Sequence, residues 1–294
     1  MKRIVFTIIL TFVLSAISLA QHVASDSVRL TSIGSPWWLV IDAPGLEVKS
    51  VGTKADGAYF LLYPTEDELN VSLWIEPAAK CKTNVECRDF VLSSGNPRWG
   101  AYEKLNKASF GKFDYFEFYR PTVQEMPVQM QDMYAQHVNA GYWLDVHISK
   151  ALYKPEHKVL FEKLLNSMKF VAKETKSSVP QDAAGIVSVG QSWLTKWDQQ
   201  KCSESYSDLT SISREAIKEG LWLEYCRSAH LGLGKLKSRE LIAITTTSSL
   251  PPRPDRSGAV LRFQSSFEKG DTIEFISLTS EKDGSWTVSN YVTL

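Results

Sequence analysis

Apolar and polar residues alternate with a period of two along most of this chain, and the spacing lengthens to that of a helix in only a few windows. Residues 37–42, 58–63 and 69–76 are rich in aromatic and branched side chains and are separated by Pro44-Gly45, Asp56-Gly57 and Pro64. Runs of that kind between turn formers predict short strands. Residues 101–110 and 113–120 flank Gly111-Lys112, and 129–137 and 142–149 flank Asn139-Ala140-Gly141, which predicts two hairpins. In the last strand Leu144, Val146 and Ile148 share one face while Trp143, Asp145 and His147 share the other. Thr83 is placed to cap a helix over about 84–94. Pro155 opens PEHKVLFEKLLNSMKF, in which Leu160, Leu164 and Met168, joined by Phe161 and Leu165, form an apolar helical stripe that docks on the sheet.

The pattern breaks at 173–185, KETKSSVPQDAAG, which has almost no large apolar residue and reads as a linker running into a helix start at Asp182. Beyond it Ile186, Gly190, Trp193, Leu194 and Trp197 recur at helical spacing, and a broken helical region extends to about Leu231. Four strands, 238–248, 259–267, 272–280 and 286–293, close the chain around turns at 255–258, 269–271 and Asp283-Gly284. The expected fold class is α+β in two domains: an antiparallel sheet flanked by helices, then a helix-first, curved-sheet cone.

Composition changes this picture at the N-terminus. Lys2 and Arg3 precede an apolar run from Ile4 to Leu14 and small residues around Ala20, the layout of a secretory signal peptide. The expected division is therefore a signal peptide at 1–20, a first domain at 27–172, a linker at 173–182 and a second domain at 183–294. The localisation that follows is periplasmic or secreted, with no membrane span once the leader is cut. The charges balance at 33 basic and 33 acidic residues, so electrostatics gives no reason to expect nucleic acid or anionic lipid as a partner. In an oxidising compartment the four cysteines read as structural bridges, and their clustering favours Cys81 with Cys87 and Cys202 with Cys226. Neither pair has Cys-x-x-Cys spacing.

The segments IDAPGLEV and VHISKALYKPEHKVLFEKLLNSMKF, with hairpins between them, resemble the PsbP-like fold over about residues 33–172. That resemblance implies an accessory or binding module and carries over no catalytic residue. Over 183–294 the segments WLTKWDQQKCSESYSDL, VLRFQSSF and DGSWTVSNY resemble the family of unknown function numbered 4019, itself similar to the nuclear transport factor 2-like cone. The charged loop from Pro251 to Gly258 departs from the family's usual Pro-Gly-x-Pro-x-Gly turn.

Candidate chemistry is sparse. His137, Asp145 and His147 lie on one hairpin, and a metal would need all three to converge. Asp198, Tyr206, Asp208 and His230 are the acid–base candidates in the second half, but no pair has the spacing of a dyad. Trp193 and Trp197 share a helical face and, with Trp222, are candidates to line a ligand pocket at the mouth of the cone. No catalytic, metal-binding or cofactor-binding residue is assigned, and no cofactor is expected. The expectation is an exported, non-enzymatic accessory or binding protein of the bacterial cell envelope, whose partner is an envelope protein or a small apolar ligand. The rival is a small-ligand carrier or an enzyme that uses the interior of the C-terminal cone.

Overall fold

The structure, a computed structural model, describes residues 27–43, 46–54, 57–64, 69–99, 102–173, 183–248 and 255–293. The leader at 1–20, almost all of the 173–182 linker with Asp182, and residues 251–254 of the Pro-rich loop lie outside the described residues. The chain is α+β and divides into two compact units, one of residues 31–176 and one that joins 177–294 to the N-terminal strand β1, Ser27–Leu30.

The first unit is built on seven antiparallel strands in the order β3-β4-β5-β9-β8-β7-β6. In chain order these are β3 (Leu46–Lys54), β4 (Gly57–Pro64), β5 (Asn70–Pro77), β6 (Glu103–Phe110), β7 (Phe113–Val123), β8 (Met126–Asn139) and β9 (Tyr142–Lys150). Alternation sets the core face. Ile148 lies opposite Val71, Val146 opposite Leu73 and Leu144 opposite Ile75, and all six are buried. Burial of such side chains contributes about 1.5–3 kcal/mol each. Two further strands, β2 (Trp37–Ile41) and β10 (Met168–Ala172), pair antiparallel. Helix α1 (Asn84–Trp99) packs on β7 and β8. Its start follows the sequence: Thr83 Oγ1 accepts from the Glu86 backbone N–H, and the Glu86 carboxylate accepts from the Lys82 N–H.

Helix α2 (Lys158–Ser167) corrects the sequence reading at its C-terminus. The expected stripe ran on through Met168, yet the helix stops at Ser167 and MKFVA becomes β10. Met168 is fully buried in its register opposite Ile41, so strand pairing overrides a helical pattern that two more residues would have continued.

The second unit orders its strands β1-β11-β12-β13-β14, with β11 (Leu236–Thr247), β12 (Gly258–Phe267), β13 (Gly270–Ser280) and β14 (Trp286–Thr293). Four helices precede β11: α3 (Ala184–Asp198), α4 (Cys202–Ser207), α5 (Ser211–Ala216) and α6 (Glu219–Leu233). The expected first domain began at 27, whereas Ser27–Leu30 pairs antiparallel with β11 from Thr246 back to Ala243. Val28 and Leu30 have no exposure, and that burial is the reason this short strand belongs with the second unit. Helix α3 lies so close to the sheet that a Cβ at Gly190 would sit 2.6 Å from Leu261 Cδ1 of β12.

Candidate functional site

The most concentrated chemistry of the second unit lies where α3 and α6 cross the sheet. The stripe on α3 places Trp193 and Trp197 inward, and α6 adds Trp222; each is 2% exposed or less. Trp193 and Trp197 stack at 5.6 Å, and Trp222 meets both edge-on at 6.0 and 5.6 Å. Tyr291 of β14 closes on Trp197 at 4.5 Å. The indole N–H groups are satisfied from α4: Trp193 Nε1 donates to the Ser205 carbonyl at 2.9 Å and Trp222 Nε1 to Ser205 Oγ at 3.1 Å. The three tryptophans expected to line a ligand pocket therefore fill the interior. Their rings contact one another, because helical spacing turns Trp193 and Trp197 to one face of α3 and the packing of α6 brings Trp222 against it.

Beneath the rings lies a closed ion cluster. Glu274, with no exposed surface, accepts from Arg239 at 2.5 and 2.8 Å, from the Tyr291 hydroxyl at 2.5 Å and from Ser265 Oγ through a short hydrogen bond. Arg239 turns its other edge to Asp198 at 2.6 and 2.9 Å. Burial works against the Arg239 charge, but the hydrogen bonds it donates to Asp198 and Glu274 outweigh it and hold its pKa above the ordinary value. Burial, reinforced by the Glu274 charge, holds the Tyr291 phenol well above its ordinary range, and burial pushes Tyr225 up to about 12. Both phenols stay protonated at neutral pH, and the Tyr291 hydroxyl donates to Glu274. The cluster leaves no carboxylate oxygen of Glu274 free to take a substrate proton.

His230 ends the row. Its ring lies 5.2 Å from Trp197, makes a backbone hydrogen bond to Trp197, and keeps Nε2 buried without a hydrogen-bond partner. Burial lowers its pKa, so the imidazole is neutral at pH 7. Of the four acid–base candidates the structure brings Asp198 and His230 to this end of the unit. The other two have plain duties: the Tyr206 hydroxyl donates to the Arg214 carbonyl, and Asp208 pairs with Lys196. Sequence reasoning missed Arg239, Glu274 and Tyr291. Arg239 meets Asp198 across 41 positions and Glu274 across 35, a pairing set by strand register and helix placement.

On the outer side of His230 a concavity of about 560 Å³ lies between the α3–α4 turn and α6. Gln200, Lys201, Ser203, Glu204, Arg227 and His230 line it, with Cys202, Leu223 and Leu231. The Cys202–Cys226 bridge ties α4 to α6 here, with a Cα separation of 6.0 Å.

Among the described residues no group of three or more His, Cys, Asp or Glu is arranged to hold a metal. The first unit shows why for the hairpin candidates. His137 pairs opposite Leu144 and shares its face, so it points away from Asp145 and His147. Its Nδ1 meets the Lys112 carbonyl at 2.9 Å. His147 Nε2 lies 2.9 Å from Asp132 Oδ1, and Arg120 holds the same buried carboxylate bidentately at 2.6 and 2.7 Å. Burial raises the Asp145 pKa to about 6 against a 2.7 Å hydrogen bond from Gln136 Nε2. Cys81 and Cys87, with a Cα separation of 5.0 Å, are buried in a small apolar cluster with Ala78 and Trp143.

Comparison with known proteins places one segment. Residues 189–291 match the model of a protein family of unknown function, DUF4019. Every side chain of the ring stack and ion cluster lies within the DUF4019 segment, whereas β1 lies outside it. The chain is also similar to the solution structure of cyanobacterial PsbP (CyanoP) from Synechocystis sp. PCC 6803. That alignment has 16% identity, 50% coverage of this chain, 93% coverage of that one and a TM-score of 0.35. A crystal structure from Bacteroides thetaiotaomicron VPI-5482 aligns with 11% identity over 85% of this chain and 89% of its own, with a TM-score of 0.34. No curated protein matches the chain.

Proposed function

We propose that the protein is an exported, non-enzymatic accessory or binding protein of the bacterial cell envelope, made of two stapled α+β units that offer surfaces to a partner. The observation that carries this reading is the filled interior of the DUF4019 segment. The place where an acid–base site would sit holds packed indoles over an ion cluster whose members already bond one another. Two further features support export. The N-terminal leader pattern has the right charge and length, and both cysteine pairs stand at bonding distance, as suits an oxidising, non-cytoplasmic compartment. Among the described residues no helix is long and apolar enough to cross a membrane.

Complementation of a deletion strain tests the reading. Tyr291→Phe and Tyr225→Phe, which keep both rings in place, restore the wild-type phenotype if function lies in surfaces. Loss of function in a variant that is folded and present at normal level in the envelope fraction contradicts the proposal and favours chemistry in the interior.

A further inference from the structure

The concavity beside α6 is built differently from the filled interior. Helix α6 has two working faces. Trp222 and Cys226 turn inward, while Leu223, Arg227, His230 and Leu231, at i, i+4, i+7 and i+8, form a second stripe along the concavity. The opposite wall comes from the turn between α3 and α4, where Gln200 takes a φ of 57°. A volume of about 560 Å³ suits a small ligand.

Two features of the lining lack partners among the described residues. Arg29, Arg214, Arg239, Arg256 and Arg262 each donate to a side chain or a carbonyl of this unit. Among the described residues Arg227 makes no hydrogen bond or ion pair, and it lines the concavity. Leu231 is 74% exposed, more than any other large apolar side chain among the described residues, and Leu223 lies two turns back along the same stripe. Lys201 is held only loosely, 3.9 Å from Glu204. Two cations against one carboxylate leave the lining one positive charge in excess, beside aliphatic surface.

We propose that this concavity binds a small amphipathic anion: a carboxylate or phosphate head on the Arg227 guanidinium, with Lys201 beside it, and a short aliphatic chain along Leu223 and Leu231. A planar guanidinium matches such a head with two parallel hydrogen bonds. The leucines give the chain a surface that water covers in the free protein. The site is separate from the tryptophan interior and does not depend on where the protein resides.

Isothermal titration of the purified chain, with its disulfides intact, tests the site using hexanoate, octanoate, decanoate, octyl phosphate and octanol. Saturable one-to-one binding of the anions is expected, tightening by up to roughly 3- to 4-fold per added methylene until the leucines are covered. Preference for octanoate or for octyl phosphate each supports the site and assigns the head. Arg227→Gln lowers octanoate affinity by about 10-fold or more with an unchanged melting temperature, because an exposed side chain is being replaced. Leu231→Ser flattens the chain-length dependence. The proposal is overturned if no anion binds at millimolar concentration, if octanol binds as tightly as octanoate, or if Arg227→Gln binds like the wild type. Attachment only to phosphatidylglycerol vesicles, without binding of the soluble anions, overturns it as well.

Discussion

Glu274 shows how a single buried charge is held in this protein. Arg239, Tyr291 and Ser265 all donate to it, so Glu274→Gln removes the charge that the guanidinium faces on that side. Breaking a buried pair from one side costs about 3 kcal/mol, measured as a fall in unfolding free energy in urea. An unchanged value means that Asp198 alone compensates the guanidinium. Asp145 is the opposite case. Its folded pKa of about 6 lies above the ordinary 3.8, because burial disfavours the charged form. A raised carboxyl pKa means that the folded state holds its proton longer, so stability is lost as the pH rises from about 4 to about 6. Asp145→Asn, which can still accept from Gln136, gains about 1 kcal/mol above pH 6 and nothing below pH 4. Equal stability at pH 8 contradicts the shift. At this scale the tryptophan stripe was legible because helical spacing reveals a shared face. The Arg239–Glu274–Asp198 cluster was not, since it joins a helix end to two strands far apart in sequence.

Turn chemistry and close approach decide the elements. Ala140 and Gly141, with φ of 49° and 78°, form the two-residue loop that pairs Asn139 with Tyr142. Alanine is strained in that left-handed region, where asparagine is favoured, so Ala140→Asn raises stability by about 0.5–1 kcal/mol in a denaturant titration. The same loop fixes the register that turns His137 away from His147, a signal already present in the sequence once two residues rather than three are counted as the turn. Gly190 marks the contact of α3 with β12. Gly190→Val forces Leu261 aside and costs about 2 kcal/mol by thermal or chemical unfolding. Most strands were readable from alternation and punctuation. Strand β1 was not, because SVRL is too short to show a period, and β10 was hidden because its first residue continues the helical stripe.

The two staples act on the whole molecule by restricting the unfolded chain. Under the loop-entropy argument the 24-residue separation of Cys202 and Cys226 is worth about 3.5 kcal/mol and the 6-residue separation of Cys81 and Cys87 about 2 kcal/mol. The double serine variant at 202 and 226 therefore unfolds at lower denaturant than the one at 81 and 87. The pairings were legible from clustering alone, and the two compact units change over between residues 176 and 177, within the polar run at 173–185. The return of the N-terminal strand to the second unit was not legible, since no local pattern announces a partner more than two hundred residues away. The proposed export to an oxidising compartment accounts for both bridges. The most direct measurement is the intact mass of the natively produced protein, isolated from the envelope fraction without reductant and treated with an alkylating agent. The account predicts a chain cut near Ala20, unalkylated and four hydrogens lighter than its thiol form. A full-length chain carrying four alkylated cysteines contradicts it.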